Sequence, residues 1–126
     1  MSERMLISSY TCADAIADGL FVDVMEDEEL AALVREAGFK LPFAVTASVL
    51  SECIELNERS HVGESRAGRW WDILHVLNWT LPKDFRGPAE HGFKLSVSGR
   101  LVSLVADFTF DDAGRPAVTI LFLHER

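Results

Sequence analysis

The hydrophobic pattern of this chain changes period once, and that change constrains the fold more than any other feature. As far as Leu81 the apolar residues recur at helical spacing, and from Phe93 onward they alternate. A helix puts residues i, i+3, i+4 and i+7 on one face, whereas a strand puts every second residue there. Phe93, Leu95 and Val97 alternate before a Ser98-Gly99-Arg100 turn. Val102, Leu104, Ala106, Phe108 and Phe110 alternate next, then Val118, Ile120 and Phe122 follow an Asp111–Arg115 turn. Three alternating runs joined by short turns predict a three-stranded antiparallel meander. The carboxylates Asp111 and Asp112 sit at its tip and read as turn formers.

Upstream, the spacing predicts helices. Acids crowd the start of Glu26–Ala37, where the helix dipole favours them, and Leu30, Leu33, Val34 and Ala37 form an inward stripe before Gly38. Thr46 reads as the cap of a helix running to about Asn57, with Val49, Leu50, Cys53 and Ile54 inward. A third helix runs from Arg69 to about Leu81, with Trp70, Ile73, Leu74, Leu77 and Leu81 on one face and Pro82 as its stop. Short extended segments are expected at Met5–Tyr10 and Leu20–Val24, with a turn of helix at Cys12–Asp18 capped by Thr11. Glu58–Gly68 and Lys83–Gly92 read as loops. Helices first and a sheet last give an α+β class, with N-terminal helices packed on the C-terminal three-stranded antiparallel meander.

A chain of 126 residues that is 48% hydrophobic makes one domain, residues 1–126, with a core of its own. The absence of a long apolar run or a basic leader, and two cysteines outside any disulfide pattern (Cys12 and Cys53), lead to an expected cytoplasmic protein with reduced thiols and no membrane contact.

Charge is the second constraint. The formal net charge is −8, and Asp14–Glu36 holds eight acids against the single base Arg35. Nearly all the excess charge lies in that window. An acidic face repels nucleic acid and attracts basic surfaces, so Asp23, Glu26, Asp27, Glu28 and Glu29 are the candidate partner-binding residues, and direct nucleic-acid binding is not expected.

Signatures of chemistry are missing. His61, His75, His91 and His124 have no ligand spacing, and no Cys-x-x-Cys occurs, so no metal site is expected. The sequence holds no Gly-x-Ser-x-Gly, Ser-x-x-Lys, P-loop or Gly-x-Gly-x-x-Gly, and no catalytic residue or cofactor is assigned. Cys53 reads as a small buried hydrophobe, with no basic neighbour in sequence to activate it. The most suggestive stretch is Arg66-Ala67-Gly68-Arg69-Trp70-Trp71-Asp72. Its guanidiniums and the outward Trp71, His75 and Asn78 suggest a ligand or interface strip of Arg66, Arg69, Trp71 and His75.

Across nearly its whole length the chain resembles an uncharacterised family of small bacterial proteins carried on plasmids and other mobile elements. The resemblance rests on Ser9-Tyr10-Thr11, Ala13, Ala15-Ile16, Asp18-Gly19 and Val22-Asp23-Val24. It continues through Arg35-Glu36-Ala37-Gly38-Phe39, Leu41-Pro42, Ala44-Val45-Thr46 and Gly68-Arg69-Trp70-Trp71-Asp72-Ile73-Leu74. It ends with Gly114-Arg115-Pro116 and Val118-Thr119-Ile120. The resemblance implies a setting, mobile-element cargo near antirestriction and other counter-defence genes, and no catalytic residue.

Three functions follow as expectations. The first is a non-enzymatic acidic interaction protein that docks on a basic nucleic-acid-binding partner, in its concrete form a counter-defence inhibitor of the anti-CRISPR or antirestriction type. The second is a small hydrolase or transferase for a nucleotide-like substrate, using Arg69, Trp71, His75 and Tyr10. The third is a homo-oligomeric regulatory module, a homodimer paired through the edge of the final strand, Val118–Leu123.

Overall fold

The computed structural model describes residues 20–55, 65–83, 85, 89–97, 99–110 and 114–126. Within them lie strands β1 (Phe21–Asp23), β2 (Phe43–Thr46), β3 (Ala89–Val97), β4 (Arg100–Phe110) and β5 (Pro116–Phe122). The helices are α1 (Glu28–Glu36), α2 (Ala47–Val49) and α3 (Arg66–Thr80). The strands form one mixed sheet in the order β1-β2-β5-β4-β3. β2 runs parallel to β5, with Phe43 opposite Val118 and Val45 opposite Ile120, and the other neighbours are antiparallel.

The expected sheet of three antiparallel strands beneath N-terminal helices is thereby overturned. The N-terminal half supplies two strands of its own, and one pairing is parallel. β1 falls within the extended segment expected at Leu20–Val24, whereas β2 is missing from the pattern for a physical reason: all four of its residues, Phe43-Ala44-Val45-Thr46, are buried. A strand covered on both faces has no solvent side and therefore no alternation to read. A second correction concerns β5. Expected as a free edge, it lies inside the sheet with β2 on one side and β4 on the other. Self-pairing through that edge is closed, and among the described residues the edges belong to β1 and β3.

Element boundaries move for local reasons. Ser65 caps α3, its Oγ accepting the Gly68 N–H at 3.0 Å, so Arg66–Gly68 are helical rather than loop. An added Cβ at Gly68 would lie 3.2 Å from that Oγ, and the glycine leaves the cap its room. Thr46 does cap the next helix, accepting the Val49 N–H at 3.2 Å, but α2 passes after one turn into a π-helical turn, Leu50–Ile54. β3 begins at Ala89, four residues before the visible alternation, with polar Glu90 and His91 in register with Asp107 and Ala106. The β3–β4 hairpin turns through Gly99 at φ +81°, a conformation that costs glycine little. Phe110, predicted inward, is exposed, while Val105 on the opposite face of β4 is buried. The expected elements at Met5–Tyr10, Thr11 and Cys12–Asp18, most of the Glu58–Gly68 loop and Asp111–Asp112 lie outside the described residues. Among the described residues no helix is long and apolar enough to cross a membrane.

Trp70 sits at the centre of the core. It is fully buried, its ring meets Phe43 edge-on at 5.9 Å, and Phe43 meets Phe39 at 5.1 Å. Its indole N–H donates to the Leu30 carbonyl oxygen at 3.1 Å, which ties α3 to α1 through the one polar atom the side chain buries. Two further ties fix the helices side by side in parallel: Arg66 to Asp27 at their starts and Asn78 Nδ2 to the Ala37 carbonyl at their ends. Replacing Trp70 by alanine should cost about 3–5 kcal/mol in urea denaturation, from the cavity and the lost aromatic contact. A loss below about 1 kcal/mol would mean that the core is not built around this residue.

Candidate functional site

The acidic face is organised by one cation. The Arg66 guanidinium, at the first turn of α3, receives three carboxylates from two other elements. Nη2 lies 2.6 Å from Asp27 and 2.9 Å from Glu55, and Nη1 lies 2.9 Å from Glu29. Asp27 does two jobs. Its Oδ1 accepts the Leu30 N–H at 3.1 Å as the N-cap of α1, while its Oδ2 holds Arg66. The hydrogen bond from Arg66, helped by the cap, keeps the Asp27 carboxyl below its ordinary value of 3.8 despite partial burial, and the same partners push the Arg66 guanidinium up. Glu55 follows the π-helical turn directly, its N–H closing that turn on the Leu50 carbonyl at 2.7 Å. The turn also brings the Ile54 carbonyl 2.8 Å from Nε of the buried Arg69.

The five predicted acids thus divide. Asp23 caps the 3-10 turn Val24–Glu26, accepting the Met25 N–H at 2.9 Å. Asp27 and Glu29 are held by Arg66. Glu26 and Glu28 are exposed and make no ion pair among the described residues. One guanidinium offsets one of the three carboxylates around it, so the face stays negative after pairing.

The predicted strip of Arg66, Arg69, Trp71 and His75 is split over the sides of α3. Arg66 points to α1, Arg69 is buried against the π-helical turn, and Trp71 and His75 stand on the outer side with ring centroids 5.4 Å apart. Asn78, expected on that strip, is turned to the end of α1. In its place Trp79 extends the ladder, 6.2 Å from His75 and 85% exposed. Its spacing of four from His75 was the available signal. Glu55 had none, because only the tertiary fold brings it to Arg66. The enzyme arrangement of Arg69, Trp71 and His75 is not assembled, and Tyr10 lies outside the described residues. Elsewhere His91 Nε2 meets Thr80 Oγ1 at 2.9 Å, and His124 stacks on Phe122. No metal-holding group of His, Cys, Asp and Glu occurs among the described residues.

Comparison with protein-family models, curated proteins and solved structures gave no match.

Two outcomes follow. Because Asp27 is depressed in the fold, its pairing stabilises fully near neutrality and is lost as pH falls through its folded value. Arg66→Gln should cost about 1 kcal/mol at neutral pH and make the acid limb of the stability–pH curve shallower, since the main cause of the depression is gone. An unchanged acid limb would show that the ion pairs do not matter in solution. Cys53 is fully buried, and burial pushes its thiol up to about 11. In a Cys12→Ser background it should resist alkylation near neutral pH and react fully once the protein is unfolded in urea.

Proposed function

We propose that this chain is a protein-binding protein, and that its acidic α1–α3 face docks on the basic, nucleic-acid-binding surface of a partner. Its concrete form is a counter-defence inhibitor that occupies a site otherwise held by nucleic acid. The observation that supports this most is the imbalance around Arg66, where three carboxylates share one guanidinium while Glu26 and Glu28 stand exposed beside them. Such a face offers a preset field to a cationic surface and little to a phosphate backbone.

The variant Glu26→Gln/Glu28→Gln/Glu29→Gln tests the reading with the caps left intact. Three rim charges at about 0.5 kcal/mol each predict roughly tenfold weaker binding. In affinity capture from host lysate, a nucleic-acid-binding protein should be retained by the wild type at low salt, released by high salt or added duplex DNA, and retained poorly by the variant. Equal retention by wild type and variant would sink the reading.

A further inference from the structure

We propose that the outer face of α3 is a second half of the docking surface, built to take an arginine side chain of the basic partner on the exposed face of Trp79, beside His75 and Asp72. The proposal rests on the reading above and specifies what that partner presents.

The exposed residues of α3 are Gly68, Asp72, His75, Asn78, Trp79 and Thr80, with Trp71 half-buried beside them. Trp71, His75 and Trp79 are four residues apart in turn, so they climb one side of the helix, with centroids 5.4 and 6.2 Å apart. Trp79 is 85% exposed, and among the described residues its one ring contact is the exposed His75. The ring planes are tilted by 41° and 56°, so the ladder is not the flat platform on which a run of bases would lie.

Charge selects the occupant. Asp72 is the one carboxylate among these residues. It lies three residues before His75 and seven before Trp79, hence on their side of the helix. A carboxylate beside two indoles suits a guanidinium, which stacks on an aromatic face and hydrogen-bonds at its rim, better than it suits a compact, strongly hydrated ammonium. α1, with its acidic first turn, is pinned beside α3, so acids and aromatics sit on neighbouring helices. A second copy of this chain, with its own −8, is repelled from such a surface, and nucleic acid is repelled likewise.

The test uses nona-arginine and nona-lysine peptides, equal in length and charge, titrated calorimetrically into the whole protein at low salt. The wild type should bind nona-arginine about three- to tenfold more tightly. Trp79→Ala should shrink that preference while both peptides still bind, and Trp79→Phe should restore part of it. The Glu26→Gln/Glu28→Gln/Glu29→Gln variant should weaken both peptides and keep the preference. A preference unchanged in Trp79→Ala overturns the arginine site and leaves the acidic face standing. Failure of either peptide to bind the wild type overturns both readings. Light scattering and an oligo-dT titration complete the set. A wild-type dimer or oligo-dT affinity that Trp79→Ala abolishes would reassign the ladder to self-contact or to base stacking, and overturn the proposal.

Discussion

The parallel hydrogen bonds between β2 and β5 join the two halves of this molecule into one sheet. β1 and β2 have three and four residues, too few to stand alone as a hairpin in water. Laid along β5, with Val118 N donating to the Pro42 carbonyl at 3.0 Å, they extend a sheet that already has a core face. The same contact fixes where α2 starts. Thr46 ends β2, caps the helix and donates its hydroxyl to Glu125 Oε1 at 2.9 Å, and that same carboxylate oxygen accepts the Phe122 N–H at 2.8 Å. One carboxylate therefore locks the ends of the two parallel strands together.

On the helical side, Arg66 organises a small region at modest energetic gain. Its three ion pairs are partly exposed, and such pairs contribute little each. Their value is geometric. They hold the start of α1, the start of α3 and the end of the π-helical turn at one point, and they do so with acids in excess. Stability and surface field thus come from the same groups, and the helix caps that build α1 also set the charge that the proposed partner meets.

The sequence made legible whatever repeats along one element. The inward sets Leu30 and Val34, then Trp70, Ile73, Leu74 and Leu77, and then Phe93, Leu95 and Val97 are all buried. The Thr46 cap and buried Cys53 were legible for the same local reasons. What stayed hidden depends on distant chain segments. β2 has no polar side to betray it, the parallel register joins residues some 75 apart in sequence, as with Phe43 and Val118, and Glu55 finds Arg66 only after folding. The candidate acids were legible as charge but not as structure, since a run of carboxylates does not tell which of them caps a helix. The mixed strip failed because arginines and aromatics adjacent in sequence point to different sides of a helix. Trp79 follows His75 at the same spacing of four, which sets it on the outer side of α3.

The central position of β5 has a consequence for the order of events during synthesis. The four other strands among the described residues precede it in the chain, and it separates them into two pairs, β1 with β2 and β3 with β4. A ribosome delivering this chain releases both pairs before the strand that joins them. Until β5 arrives, β2 and β4 each present an open, largely apolar edge, the kind of edge that recruits neighbouring chains. The interval between β4 and β5 emerging is therefore when this fold is most exposed to misassociation, and the short β4–β5 connection keeps that interval brief.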